Sequence, residues 1–170
     1  MSTMLDSSLL ADRLELSDLL ARLARGIDRS DRDLIAACYA EDSFDDHGAF
    51  KGTGQEFADY ICGGSPISRD ARFLLHCLGQ QLFDIRGDEA FGETAYMMDM
   101  GTGDGRLVHS CGRYIDYFQR IDGRWLVKYR RVITESTSQL EGKEFPFPAK
   151  ALRSARGLDD PVYDERRWHE

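Results

Sequence analysis

Four segments in the second half of the chain, 71–85, 90–100, 107–121 and 125–138, have the length and composition of strands, and little chain separates them. Gly87-Asp88 and Asp122-Gly123 are hairpin turn pairs. The glycine-rich stretch 101–105 lacks the following helix and lysine of a phosphate-binding loop, so it also reads as a hairpin connection. Strands joined this closely pair as an antiparallel meander, because a parallel crossover needs about a dozen residues or more. The first half carries a different period. Leu16, Leu19, Leu20, Leu23 and Ile27 form one stripe of an amphipathic helix over about 9–27. Ser30 or Asp31 caps a second helix over 32–39, a short strand covers 43–46, and a third helix over 53–62 stops at Gly63, Gly64 and Pro66. Helices first and a meander second is an α+β order.

Around His76 both alternating sets are apolar: Leu74, Leu78 and Leu82 in one, Phe73, Leu75, Cys77 and Phe83 in the other. A strand apolar on both sides is covered on both sides. That predicts a curved sheet around a cavity, a homo-oligomer, or both. With 170 residues the chain reads as one domain, 1–138, and a tail, 139–170. Phe145 and Phe147 predict that the tail docks on the domain or on a neighbouring subunit.

The net charge of −8 argues against nucleic acid and against an anionic membrane surface as partners. No stretch approaches the ~20 apolar residues of a membrane span. Cys38, Cys62, Cys77 and Cys111 contain no C-x-x-C pair, and the first residues lack a secretory pattern. The reading is a cytoplasmic protein with reduced thiols.

Two polar residues stand out against this background. Asp28 follows the leucine stripe, with small residues Ala24, Ala21 and Ser17 on its side of the helix. It sits near a helix C-terminus, where a negative charge is least favoured. His76 interrupts an apolar strand. A solvated turn aspartate and a hydrogen-bonded core histidine are the plain readings. Brought within reach, the two form a proton-transfer unit, the carboxylate fixing the imidazole tautomer. Asp45, Asp46 and His47 form another polar cluster, but without H-x-H or H-x-x-x-H spacing no metal site is expected.

The runs LARGIDRSDRDLIAACYAEDSFDDHGAFKG, FLLHCLGQQLFDIRGDEAFGET and GRYIDYFQRIDGRWLVKYRRV resemble SnoaL-like proteins of the nuclear transport factor 2-like (cystatin-like cone) superfamily, over residues 9–133. The resemblance implies an α+β cone: a strongly curved, mostly antiparallel sheet wrapped around N-terminal helices and enclosing an apolar pocket. Nearest in motif are lyases with an Asp–His dyad: hexachlorocyclohexane dehydrochlorinase, scytalone dehydratase, bile-acid 7α-dehydratase and formaldehyde lyases acting on lignin-derived aryl dimers. Asp28 and His76 match the dyad positions. Asp45 and His47 match an inward-facing strand, Tyr96, Met98, Ser110 and Tyr114 match pocket walls, and Arg130 matches a position facing the leaving group.

The chain departs from the pattern at Leu23, where some dehydratases carry a tyrosine, and at Gln80, where an asparagine is frequent. The acid assisting the leaving group is then one of Tyr96, Tyr114, His47 or Arg130. The implied function is a lyase without cofactor or metal, performing dehydration or a related elimination, formaldehyde release included, on a small, mostly apolar cyclic or aromatic substrate. A ketosteroid-isomerase-like or polyketide-cyclase-like enzyme and a non-catalytic small-molecule binding module are the alternatives. The family also implies a homo-oligomer, a trimer before a dimer.

Overall fold

The computed structural model describes residues 7–141, 148 and 151–164. Helix α1 (Ser7–Arg29) buries Leu16, Leu19, Leu20, Leu23 and Ile27, the stripe marked by their spacing, and Asp28 in its last turn. Asp31 caps α2 (Arg32–Ala36), its Oδ1 accepting from the Leu34 N–H at 3.0 Å. The helix stops at Ala36, short of the expected 39. Tyr39 instead opens β1 (Tyr39–Asp46), where its ring is buried. A short β2 (Lys51–Gly52) pairs with β1, and α3 (Gly54–Asp59) opens on a capping box between Thr53 and Glu56. A π-helical turn (Tyr60–Gly64) and α4 (Pro66–Asp70) follow. Pro66 therefore starts a helix that the sequence reading took only as a stop, in keeping with the preference of proline for the first helical turn.

Strands β3 (Ala71–Arg86), β4 (Glu89–Thr102), β5 (Leu107–Ile121) and β6 (Arg124–Leu140) form the expected antiparallel meander. The sheet order is β2-β1-β6-β5-β4-β3, and only β1 and β6 run parallel. Register shifts at Leu78/Gln81, Cys111/Gly112 and Tyr117/Phe118 bend the strands, as bulges do. At Gly112 a side chain has no room: a Cβ would lie 2.0 Å from the Ile133 carbonyl oxygen.

The bulge in β3 also changes which residues face inward. Leu74, His76 and Leu78 share one face, but beyond the bulge Gln81 and Phe83 take it over, and Leu82 turns out to solvent. Strict alternation assigned Leu82 and Phe83 to the opposite faces, because a bulge shifts the two-residue period by one. Helix α1 packs on β3 and β6. Leu16, Leu23, Ile35, Phe57, Phe118 and Val127 are completely buried in the core so formed. Among the described residues, no helix is long and apolar enough to cross a membrane.

Candidate functional site

Asp28 enters from the last turn of α1 and His76 from the middle of β3. His76 Nδ1 lies 2.6 Å from Asp28 Oδ1, and the His76 backbone N–H donates to Asp28 Oδ2 at 3.0 Å. The imidazole side chain is 9% exposed and the carboxylate 7%. A carboxylate is an acceptor, so Nδ1 carries a proton, and Nε2 is the nitrogen whose lone pair is available in the neutral ring.

A second imidazole is held the same way. His47 Nδ1 bonds Asp45 Oδ1, and the Tyr39 hydroxyl donates to Asp45 Oδ2 at 2.5 Å. Asp45 is completely buried. Burial, and then the Asp45 charge, push the Tyr39 phenol well above its usual range, so it remains a donor. The His47 ring stacks on Phe57 with centroids 4.2 Å apart.

Both imidazoles line one cavity of about 160 Å³. Its walls are Ile27 of α1, Phe57, Tyr60 and Ile61 of α3 and the π turn, Leu74 of β3 and Met98 of β4. Ser65, Ser68 and Arg156 supply its other polar groups. A cavity near 150 Å³ holds about one benzene-sized ring. Two larger hollows, about 410 and 420 Å³, lie elsewhere and contain no histidine.

The remaining residues marked by the sequence lie at different depths. Met98 is the ladder partner of His76, and Ser110 is the partner of Met98. The Ser110 hydroxyl lies 3.4 Å from the Ser136 carbonyl and 3.3 Å from the Thr137 hydroxyl. Tyr96 stacks on Tyr114 at 4.6 Å, and its ring centroid is 6.4 Å from that of His76. Arg130 grips Asp116 through two parallel bonds of 2.7 and 2.8 Å and lies 4.2 Å above the Tyr114 ring. Its fork is therefore committed to Asp116. Burial pushes the Asp116 carboxyl up against the pull of Arg130, and burial also pushes the Tyr114 phenol up. Tyr96, Tyr114, Arg130 and Asp45 are all buried, and none of them lines the cavity.

Two side chains were missed or misplaced by sequence reasoning. Arg156 lies in a segment without periodicity, and nothing local marks it. Gln81 faces inward and accepts from the Ser17 hydroxyl at 2.8 Å, whereas Gln80 is exposed. Only the bulge makes that exchange. His109 pairs with Asp99 at 2.8 Å, both side chains more than a third exposed. Among the described residues no group of three or more His, Cys, Asp or Glu side chains could hold a metal. Phe145, Phe147 and His169 lie outside the described residues.

Solved structures with this fold include a hexachlorocyclohexane dehydrochlorinase of Novosphingobium barchaimii, with 18% identity, a TM-score of 0.72, and coverage of 82% of this chain and 97% of that one. A candidate scytalone dehydratase of Novosphingobium aromaticivorans shares 19% identity with a TM-score of 0.70, covering 92% and 98%. A Mycobacterium tuberculosis protein of unknown function shares 23% with a TM-score of 0.68, covering 79% and 78%. At these identities the likeness shows a common fold. No curated protein matches the sequence. The SnoaL-like domain family matches residues 8–131, and the chain belongs to that family.

Proposed function

We propose, with membership of the SnoaL-like family as the premise, that this protein is a lyase acting on a small cyclic or aromatic substrate by acid–base chemistry alone. The observation that carries the reading is one apolar cavity faced by two imidazoles, each backed by a buried carboxylate. His76 is the base and Asp28 its positioning partner. Nε2 of His76 takes a proton from carbon, the released electron pair forms the new double bond, and the bond to the leaving group on the neighbouring carbon breaks. For formaldehyde release it takes the proton of a hydroxymethyl O–H instead, the C=O of formaldehyde forms, and the electron pair of the broken C–C bond forms the double bond and expels the leaving group. The leaving group needs a proton. Of the four candidate acids, His47 is supported best, since it lines the cavity. Arg130 is bound to Asp116, and Tyr114 is stacked between Arg130 and Tyr96. Substrate loses HX, and the two imidazoles end with exchanged protons that solvent restores.

Elimination needs His76 neutral as the base and His47 protonated as the acid, and with these roles the reading asks for dehydration or a related elimination, formaldehyde release included. The test is turnover of hydroxylated ring compounds followed by product mass. Asp28→Asn and His76→Ala lower kcat by about 10² or more, the usual weight of general-base catalysis. A smaller fall on a substrate that the wild type converts sinks the dyad. A product of unchanged mass replaces elimination with isomerisation or cyclisation. Ligand binding that Asp28→Asn leaves untouched, with no product at all, replaces the enzyme with a binding module.

We also propose a homo-oligomer, a trimer before a dimer, joined through the outer sheet face. There Leu75, Cys77, Met97 and Phe91 are exposed on neighbouring strands. Light scattering that finds a monomer at micromolar concentration refutes this.

A further inference from the structure

Residues 151–164 return across the C-terminal end of α1. Arg29 pairs with Asp160 at 3.2 Å, the Tyr163 hydroxyl donates to Asp31 at 2.7 Å, and Arg25 lies 5.3 Å above the Tyr163 ring. Asp160 is buried and accepts from the backbone N–H groups of Ala155 and Val162 at 2.9 and 3.0 Å, which holds the segment in a compact turn. This strap delivers Arg156 to the cavity wall.

The surroundings of Arg156 are unusual for a cation. One guanidinium nitrogen reaches the Asp28 backbone carbonyl at 3.4 Å, and the other the Ser30 hydroxyl at 2.5 Å. Among the described residues no carboxylate lies at ion-pair distance. The Asp28 carboxylate is near enough to favour the charged guanidinium, but its hydrogen bonds go to His76 and it makes no direct ion pair with Arg156. Burial, the leading influence, lowers the proton affinity of the guanidinium, as expected of a cation with too little counter-charge. A partly buried charge without a direct ion pair is costly. Its neutral contacts occupy two of the five N–H donors and leave a fork suited to a planar acid. The rest of the cavity is aromatic, aliphatic, imidazole and hydroxyl.

We propose that Arg156 binds a carboxylate on the substrate, so that the substrate is a small ring acid whose ring fills the apolar cavity and whose acid group pairs with the strap. This rests on the reading of the cavity as the substrate site and narrows its substrate class. The strap has its own anchors at Asp160 and Tyr163, so changing Arg156 removes the charge without releasing the segment. A planar acid also explains why a cation is tolerated beside two proton-transferring imidazoles: it neutralises the guanidinium and keeps the imidazoles free for chemistry.

The experiment compares benzoate with its uncharged isostere benzamide by titration calorimetry at about pH 8.5, above the ordinary imidazole range. The wild type binds benzoate at least about tenfold tighter, the scale of one charge-assisted contact. Arg156→Gln abolishes the preference, with benzoate losing more affinity than benzamide, while His47→Gln/His76→Gln retains the preference. A wild type that does not prefer benzoate, a preference that survives Arg156→Gln, or one lost only in the histidine double variant overturns the proposal. No turnover is involved, so failure here is distinct from failure of the Asp28–His76 dyad, which shows in kcat.

Discussion

Replacing Arg130 with methionine strands a buried charge. The Arg130 side chain is 2% exposed and that of Asp116 0%, and the two bonds between them are 2.7 and 2.8 Å long. Removing one partner of such a pair costs about 3–5 kcal/mol, because the remaining charge keeps its desolvation penalty and loses its compensation. For a chain of this length each kcal/mol shifts Tm by roughly 2–4 °C, so Arg130→Met lowers Tm by about 6–20 °C. Arg130→Met/Asp116→Leu removes both charges and fills the space with apolar groups, which returns stability to within about 1 kcal/mol of the wild type.

The pH dependence has a definite sign. Burial raises the Asp116 carboxyl in the fold, and without Arg130 it is raised further. A carboxyl raised in the native state keeps its proton longer than in the unfolded chain, so its penalty grows as pH rises and fades as pH falls. The deficit of Arg130→Met therefore shrinks on acidification. Urea denaturation of the wild type, both single variants and the double variant at neutral and mildly acidic pH measures all of this. A single-variant loss below about 1 kcal/mol, or a double variant as unstable as Arg130→Met, refutes the reasoning.

Other perturbations test other parts of the structure. A Cβ at Gly54 would lie 2.1 Å from Cγ of Tyr39, so Gly54→Ala displaces the ring that holds Asp45 and costs about 1–3 kcal/mol. An unchanged melting curve and unchanged His47 ring resonances would contradict this. Cys77 is exposed, while Cys38 is buried and its thiol is pushed up to about 11 by burial. A disulfide reagent at about pH 8 modifies Cys77 quickly and leaves Cys38 intact in the folded protein; equal rates would count against the core placement. The Cys38 thiol, raised from 9.0 to about 11, and the raised Tyr39 phenol keep protons that the unfolded chain releases, so stability is full below about pH 9 and falls as pH rises towards 11. A flat stability curve across that window speaks against their burial.

The helix of the leucine stripe, the four-strand meander and its turns were legible in the sequence, since period and turn chemistry are local properties. Helix α4 was not, because Pro66 signals a start as well as a stop. Leu82 and Phe83 were assigned to the wrong faces, and Gln81 was not marked as inward, because nothing in LLHCLGQQLFD marks the extra residue that a bulge inserts. Asp28 and His76 each stood out, but their contact spans 48 positions and depends on how α1 lies across β3. The second pair, Asp45 and His47, was visible as a polar cluster. Its supporting Tyr39 hydroxyl came into view only once Tyr39 proved to open a strand.

The sequence by itself determined the elements, their order and which residues are out of place among their neighbours, because those follow from spacing along the chain. Tertiary structure decided which of those residues face one another. It set the two imidazoles on a single small cavity, turned Arg130 towards Asp116, and carried Arg156 from the end of the chain to the cavity wall. Such juxtapositions depend on sheet curvature and helix docking, which sum packing over the whole domain and leave no local trace.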